Sequence, residues 1–323
     1  MNTPIRTVAV RDRAHRLEAA PPSDDGVVNA MTVDVEDYFH VSVFDGLVPR
    51  VSWNQLESRV IANTEHLLGI FDESRIRATF FVLGWVAERF PALVARIAHQ
   101  GHEIASHGYA HRLIYDQTPR AFREDVRRSK LLLEAAAAGE VRGYRAPSYS
   151  VTPRTLWALD ILIEEGYRYD ASIFPIRHDR YGIPLSPRHP YVLPRAAGEI
   201  VEAPASTVQW GTMNWPVAGG GYFRILPYSW TRWGISRINR QERRPAIFYL
   251  HPWEVDPSQP RLPAGLLSRF RHYRNLDKTE GRLRQLIQDF RFAPLGEILA
   301  THSAFGQTSV ADPLPYVWQP VHQ

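Results

Sequence analysis

The chain has 323 residues, of which 44% are hydrophobic and 22% are charged. This balance is typical of a globular protein and excludes disorder throughout. The absence of cysteine excludes a disulfide framework, a thiolate nucleophile and a cysteine-ligated metal site. The net charge is only +4, and the sequence has no Lys/Arg run of the kind that follows phosphate. Nucleic acid is therefore not the expected partner.

The two ends of the sequence have the composition of tails. Residues 1–28 are polar and are interrupted by Pro21-Pro22, which predicts a loosely attached N-terminal segment. This segment lacks the apolar stretch of a secretory signal, and nowhere do the roughly 18 apolar residues of a membrane span occur together. We therefore expect a cytoplasmic protein without a transmembrane segment. A second tail is predicted at residues 303–323.

Between these tails, β-rich runs alternate with helical patterns. The runs that predict strands lie at 27–35, 76–83, 102–106, 141–145, 167–172, 199–203 and 246–250. Periodicity and capping residues predict helices at 53–73, 85–100, 119–138, 153–165, 227–239, 281–290 and 294–300. Within residues 174–222, which are rich in Pro and Gly, only the strand at 199–203 is predicted.

The regular alternation predicts a parallel sheet with helices outside it. About seven such units favour a single α/β domain over residues 29–302, with the architecture of a distorted (β/α)7-type barrel. In a parallel barrel the chemistry lies at the carboxyl ends of the strands. Five predicted strands end in unusual polar segments: Thr32-Val33-Asp34-Val35-Glu36-Asp37, Ser106-His107-Gly108-Tyr109-Ala110-His111, Tyr144-Arg145-Ala146-Pro147-Ser148, Tyr169-Asp170-Ala171-Ser172 and Leu250-His251-Pro252-Trp253.

The histidine pair suggests a metal site. His107 and His111 are four residues apart, a spacing that would place both imidazoles on one side of a helical turn. Two loop histidines would give the same spacing by chance, so the position directly after a predicted strand carries the argument. A carboxylate from another strand end would complete a three-ligand set with one position open to water, as in a catalytic metal site.

The acidic cluster can supply that carboxylate. Asp34, Glu36 and Asp37 would repel one another unless a cation lies nearby. An exposed acidic turn is the alternative, but the aromatic residues that follow are not typical of one. One acid could bind metal while another acts as a base held ionised by Arg145. Strand alternation places Asp34 and Glu36 on one face and Asp37 on the turn beyond, so Glu36 and Asp37 remain alternatives for the third ligand.

The remaining candidates concern proton transfer and substrate. His251 closes an apolar strand, either as a general acid or as a buried histidine bound to a carbonyl. Asp170 either orients that histidine or caps a turn. Trp253 either forms a wall for a sugar or packs in the core. Tyr149, Trp253 and Asp170 are the candidates for substrate contact.

In this order the motifs resemble the polysaccharide deacetylase superfamily, carbohydrate esterase family 4, over residues 30–253. TVDVED stands where that family usually has Thr-Phe-Asp-Asp-Gly, and GHEIASHGYAH is similar to its Gly-His-Glu-Ile…His-Ser/Thr-x-x-His motif. YRAPSYS is similar to its Arg-x-Pro motif and YLHP to its Leu-x-His-Pro motif. The downstream sequence, including PVAGGGYFRILPY and FYLHPWEVDP, resembles the exosortase-locus (PEP-CTERM-associated) subgroup of this family.

The resemblance implies hydrolytic N-deacetylation of an N-acetylhexosamine in a polysaccharide or its lipid-linked precursor, in exopolysaccharide biosynthesis, with a divalent metal that is usually Zn²⁺. It matches Asp34 to the catalytic base and Arg145 to the arginine that orients it. It matches His107 and His111 to metal ligands and His251 to the general acid. The family's adjacent Asp-Asp pair is replaced here, and its Asp-Trp motif is absent.

These implications leave rival functions open. The partner implied is a carbohydrate, with peripheral contact to a lipid-linked sugar. The altered acidic motif is also compatible with a hydrolase of the same fold that acts on another non-peptide C–N bond, as allantoinase-like and formyl-removing relatives do. A sugar-binding protein without turnover is the alternative from another class.

Overall fold

The computed structural model describes residues 26–302. The predicted tail at 303–323 lies outside these residues, as does the N-terminal tail up to residue 25, so the predicted domain boundaries stay predictions. None of the helices within the described part combines the length and the hydropathy of a membrane span.

The strands and helices follow one another in the alternation that the sequence predicts. In chain order the strands are β1 Val28–Val35, β2 Thr79–Val82, β3 Glu103–Ser106, β4 Gly143–Tyr144, β5 Tyr169–Asp170, β6 Tyr191–Arg195, β7 Gly198–Glu202, β8 Thr207–Trp210, β9 Met213–Pro216, β10 Ile247–Leu250 and β11 Arg291–Ala293. The α-helices are α1 Val60–Glu73, α2 Gly84–Arg89, α3 Pro91–His99, α4 Pro119–Ala137, α5 Trp157–Glu164, α6 Gly220–Ile225, α7 Tyr228–Arg237, α8 Leu266–Tyr273, α9 Leu276–Asp289 and α10 Leu295–His302. Short 3₁₀ turns occupy Ser42–Phe44, Arg50–Gln55, Ile114–Asp116, Pro147–Tyr149 and Pro252–Val255, and a π-helical turn occupies Ile238–Glu242.

Seven strands form one parallel ladder in the order β10-β1-β2-β3-β4-β5-β7. Antiparallel β6 extends it beyond β7, and β11 pairs with the beginning of β1. The predicted α/β class and parallel sheet are confirmed. The described strands leave the ladder open between β7 and β10. There a side chain bridges the gap, because Ser206 Oγ accepts a hydrogen bond of 2.7 Å from the Ile247 amide.

The sheet curls around a small buried cluster. Side chains from β1, β2, β3, β5, β10 and the end of β7 pack against one another there, which a flat sheet would not allow. Small side chains let the strands converge, and the outer face of the sheet packs on the helices in a larger apolar core. The inner cluster includes Ala30, Phe81, Ala105, Ala171, Ala203 and Ile247.

Helix α4 begins as the sequence predicts. Thr118 Oγ1 accepts a hydrogen bond of 3.2 Å from the Ala121 amide, and Pro119 occupies the first helical position, where no hydrogen-bonding N–H is needed. The helix buries Phe122 and Val126 against the sheet side of the core.

Two predicted helices are each divided in the structure. The segment 85–100 forms α2 and α3, because Pro91 starts a new helix after the non-helical Phe90. The segment 53–73 forms a 3₁₀ turn and then α1. Asp37 marks the start of α1, since its Oδ2 accepts hydrogen bonds from the amides of Arg59 at 2.9 Å and Val60 at 3.2 Å.

Residues 174–222 contain more regular structure than the sequence predicts. Besides β7 they form β6 and the β8–β9 hairpin, all of them antiparallel pairings. These strands are only four or five residues long and include proline and polar residues, so their composition resembles that of loops. Helix α8 also lacks a sequence prediction.

We expect His102 to make stability depend on pH. His102 Nδ1 accepts a hydrogen bond of 3.1 Å from the Ala78 amide, and burial lowers the pKa of His102 from 6.5 to about 4. The unfolded chain therefore binds a proton at a higher pH than the folded chain does. Stability is fully present above pH 6.5 and is lost as the pH falls through 4.

The variant His102→Asn keeps an acceptor in this position and removes the titrating group. Between pH 7 and pH 4, its free energy of unfolding in urea should fall by less than that of the wild type. Equal falls in the two proteins would assign the pH dependence to other groups.

Candidate active site

The structure gathers the predicted polar side chains at the carboxyl ends of the parallel strands. Asp34 lies in β1 and Glu36 directly follows it, while His107, Arg145 and His251 come directly after β3, β4 and β10. Apart from His251, whose side chain is 18% exposed, all of them are buried. Residues far apart in the sequence thus form one cluster at the mouth of the curled sheet.

Glu36, His107 and His111 form a set that could hold a metal ion. Each offers one ligand atom, and these atoms lie within 4.8 Å of one another. His111 Nε2 lies 2.8 Å from Glu36 Oε2, yet this buried oxygen has no hydrogen-bond partner among the described residues. Buried polar atoms are normally paired, and two imidazoles with one carboxylate suit a divalent ion. The donor set of one carboxylate and two imidazoles therefore fits a metal site.

A second contact fixes which nitrogen of His107 faces this site. His107 Nδ1 donates a hydrogen bond of 2.8 Å to the carbonyl oxygen of Arg145. Burial lowers the pKa of His107 to about 4, so the ring is neutral near pH 7 and Nε2 keeps its lone pair. This is the usual outer contact of a metal-binding histidine.

The two histidines do not share a helical turn, which corrects the geometry predicted from their spacing. Residues 107–111 form a loop in which Gly108 has φ +74° and His111 has φ +48°. A Cβ at Gly108 would lie 2.9 Å from Asp125 Oδ1, the oxygen that accepts from the Tyr109 amide at 2.8 Å. Glycine is therefore required there, and the loop brings the ring centroids to 5.4 Å.

Asp37 is turned away from the histidines. Its Oδ1 accepts from the Tyr38 amide at 3.0 Å, and its Oδ2 accepts from Ser58 Oγ at 2.7 Å as well as from the amides at the start of α1. Because these contacts occupy both oxygens, the geometry favours Glu36 over Asp37 as the third ligand.

Asp34 is held by a buried arginine. Arg145 Nη1 donates to Asp34 Oδ1 at 2.7 Å and to Thr32 Oγ1 at 2.8 Å. Its Nε donates to the Ala171 carbonyl at 3.2 Å, and its Cζ lies 4.1 Å from the ring centroid of Phe81. The pair fixes one oxygen of Asp34 and leaves Oδ2 facing His251 Nε2, at 3.8 Å.

His251 is held by two residues that the sequence analysis missed. Glu254 Oε1 lies 2.5 Å from His251 Nδ1, and Glu254 Oε2 accepts from Arg224 Nε at 2.6 Å. Burial lowers the pKa of His251, but the charges of Glu36, Glu254 and Asp34 outweigh it and raise the pKa to about 9. The ring is therefore protonated near pH 7, with Nδ1 donating to Glu254.

The local sequence could have indicated Glu254 as a partner of His251, but not Arg224. Glu254 follows His251 by three positions on the turn that Pro252 begins, so the two side chains share one side of that turn. Arg224 lies 30 positions before Glu254, and no local pattern connects them.

Trp253 supports the site in a way that differs from its predicted role. Both faces of its ring are covered, by His251 at a centroid distance of 5.1 Å and by His272 at 4.2 Å. Only 3% of the residue is exposed, so it has no free face for a sugar. Instead, Nε1 donates to Glu36 Oε1 at 3.1 Å and orients that carboxylate.

The other two substrate candidates also lie in buried positions. Asp170 is 0% exposed, accepts a hydrogen bond from Ser172 Oγ and lies opposite Glu202 in the sheet. This corrects its predicted contact with substrate, because no part of the side chain is accessible. Tyr149 packs on Tyr249 at a centroid distance of 5.2 Å, and its Oη has no partner within the described part of the chain. Its role stays a prediction.

A cavity of about 430 Å³ opens beside His251 and Trp253. Its volume lies in the range of small-molecule sites. Tyr181 and Tyr222, which line it, come from the Pro- and Gly-rich segment and its end. That segment thus shapes the space in front of the cluster.

Two family models match adjoining parts of the chain. Residues 57–169 match the polysaccharide deacetylase family model, and residues 171–300 match a model described as a domain of unknown function (DUF3473). The chain is 31% identical over 98 residues to the peptidoglycan-N-acetylglucosamine deacetylase of Bacillus cereus, which is 30% of this chain and 36% of that protein. It is 35% identical over 104 residues to the chitooligosaccharide deacetylase of Sinorhizobium fredii, 31% of this chain and 44% of that protein. The chain thus spans less than half the length of these curated relatives.

The fold is shared over almost the whole chain with a crystal structure described as "putative polysaccharide deacetylase from Mycobacterium smegmatis". The superposition covers 90% of this chain and 96% of that one, with a TM-score of 0.59 and 23% sequence identity. Residues 57–169 are thus similar to the polysaccharide deacetylase family, and about a third of the chain is similar to each of these curated deacetylases.

Proposed function

We propose that this protein hydrolyses the N-acetyl group of an N-acetylhexosamine in a polysaccharide or its lipid-linked precursor, with a divalent metal. The observation that carries the proposal is the Glu36, His107 and His111 set beside a buried Asp34–Arg145 pair and His251, which Glu254 holds. The relatives named for peptidoglycan and chitooligosaccharide deacetylation support the same substrate class. We also propose a role in exopolysaccharide biosynthesis, because the sequence resembles the exosortase-locus subgroup.

Glu36, His107 and His111 would hold the metal, and zinc suits a carboxylate with two imidazoles. Bound there, the ion supplies Lewis-acid polarisation of the acetyl carbonyl and makes water more acidic. Trp253 and the Arg145 carbonyl keep two of the ligands in place through the hydrogen bonds described above.

Asp34 is the proposed general base. Arg145 holds its Oδ1, so Oδ2 is free to take a proton from the attacking water. The buried arginine also keeps the carboxylate from rotating, which directs Oδ2 towards the space in front of His251.

His251 is the proposed general acid. Glu254 accepts from its Nδ1, which leaves Nε2–H to donate a proton to the departing nitrogen. Cleavage of the C–N bond then releases acetate and a sugar with a free amine.

The first test is acetate release from N-acetylated chitooligosaccharides with added zinc. In Asp34→Asn the amide cannot accept the proton of water, so kcat should fall by about 10² to 10⁴-fold, while bound zinc is unchanged. Turnover within a few-fold of the wild type would contradict the role of Asp34. If the folded, zinc-loaded wild type releases no acetate, allantoin and N-formyl compounds are tested as substrates, since the rival function is hydrolysis of another C–N bond.

The metal set is tested by a matched pair of carboxylate variants. Loss of outer contacts alone lowers metal affinity about 10 to 100-fold, so Glu36→Gln should lose at least about 100-fold in zinc affinity. Asp37→Asn should keep its affinity, because both oxygens of Asp37 serve the start of α1. Competition with a chromophoric chelator measures both. A loss of zinc affinity in Asp37→Asn but not in Glu36→Gln would identify Asp37 as the ligand.

The role of Glu254 is tested by the pH profile of kcat/KM. Glu254 raises the pKa of His251, so Glu254→Gln should let His251 lose its proton at a lower pH. The alkaline limb should move to lower pH, and kcat should fall. The exposed Glu297→Gln, which lies across the fold beside Arg77, is the control. An unmoved alkaline limb in Glu254→Gln would show that the glutamate only packs there.

A further inference from the structure

The wall of the catalytic cavity is positively charged. Arg180, from the loop after β5, and Arg271, from α8, line it together with His178 and Arg224. No aspartate or glutamate is among the described residues that line this cavity. A neutral sugar would not require such a wall, because it offers hydrogen-bonding groups without charge.

Two of these basic side chains are available to a ligand. Arg224 is occupied, because it binds Glu254 and the His272 carbonyl oxygen. Arg180 and Arg271 are exposed, and within residues 26–302 neither side chain forms an ion pair or a hydrogen bond.

Two acids close in sequence or in charge interaction to Arg180 have other basic partners. Asp179 lies 2.9 Å from His178 Nδ1 and is largely exposed. Asp45, whose carboxyl interacts with the charge of Arg180, lies 3.8 Å from Arg50. Both carboxylates therefore have other basic partners.

The two arginines line the same cavity as His178. Burial lowers the pKa of His178; Asp179 opposes this change, and the charges of Arg271 and Arg180 add to it. His178 in turn stacks on Tyr181 at a centroid distance of 3.8 Å. Two guanidinium groups from separate elements thus line the same cavity as this ring.

We propose that Arg180 and Arg271 bind an anionic group of the substrate, a carboxylate or a phosphate, next to the sugar that loses its acetyl group. Planar guanidinium groups match the paired oxygens of both anions, and a cavity wall of one charge sign concentrates ligands of the other. The inference rests on the proposed deacetylase function and narrows its substrate to acidic saccharides. The carboxylate would come from a uronic acid in the polymer, and the phosphate from a diphosphate-linked precursor.

The test compares three probes in acetate release: neutral N-acetylchitotetraose, a hyaluronan tetrasaccharide with carboxylates, and UDP-N-acetylglucosamine with its diphosphate. For one anionic probe, KM should be about tenfold lower than for the neutral probe and should rise with salt, because salt screens exposed charges. The probe that shows this effect identifies the source of the anion. KM values that are equal and independent of salt would overturn the inference and leave the deacetylase function intact.

Variants of the two arginines test whether these residues cause the preference for an anionic probe. Arg180→Gln and Arg271→Gln should each raise KM for the preferred anionic probe about five- to tenfold, with kcat and the neutral probe unchanged. Arg177→Gln is the matched control, since this exposed arginine of the same loop lines a different cavity. An effect of Arg177→Gln equal to that of the two variants would indicate a general effect of charge and contradict the assignment.

If none of the probes releases acetate, the proposed function fails rather than this inference. Calorimetric titration of Asp34→Asn with the same probes then decides the binding question. Tighter binding of an anionic probe, lost in Arg271→Gln, supports the anionic subsite. Equal binding of all three probes rejects it.

Discussion

The site depends on one buried cation, the Arg145 guanidinium. A buried charge is costly unless it is paired and hydrogen-bonded. Here Asp34 and Thr32 bind Nη1 and the Ala171 carbonyl binds Nε, while Nη2 has no partner among the described residues. These contacts connect the carboxyl ends of β1, β4 and β5. The backbone carbonyl of the same residue accepts from His107, so one arginine positions both the proposed base and a proposed metal ligand.

The other buried carboxylates near the mouth of the sheet differ in the partners they have. Glu254 has Arg224, and the pKa of Glu254 is lowered despite burial. Asp170 and Glu202 face each other, neither forms an ion pair with a described cation, and burial raises the pKa of both. Carboxylates in one small region are thus kept ionised or protonated by their immediate surroundings, which lets them take separate roles.

The residues of the proposed active site are distributed over both matched family models and the segment before them, although the fold brings these residues together. Asp34 and Glu36 precede residues 57–169, whereas His107 and Arg145 lie within them. His251 and its partners lie within residues 171–300, the domain of unknown function. Because β5 and β7 pair across the boundary, this second segment is part of the same sheet. It supplies the proposed general acid and much of the cavity wall.

The sequence by itself determined the parallel α/β architecture and the strand ends at which chemistry occurs, because periodicity and capping act between residues a few positions apart. Tertiary structure alone decided that Glu36 rather than Asp37 lies with the histidines, since the start of α1 occupies Asp37. It also placed Arg224 on Glu254, covered both faces of Trp253 and put Arg180 and Arg271 in the lining of one cavity. These outcomes depend on which atoms meet across long stretches of chain, and local sequence patterns carry no information about such distances.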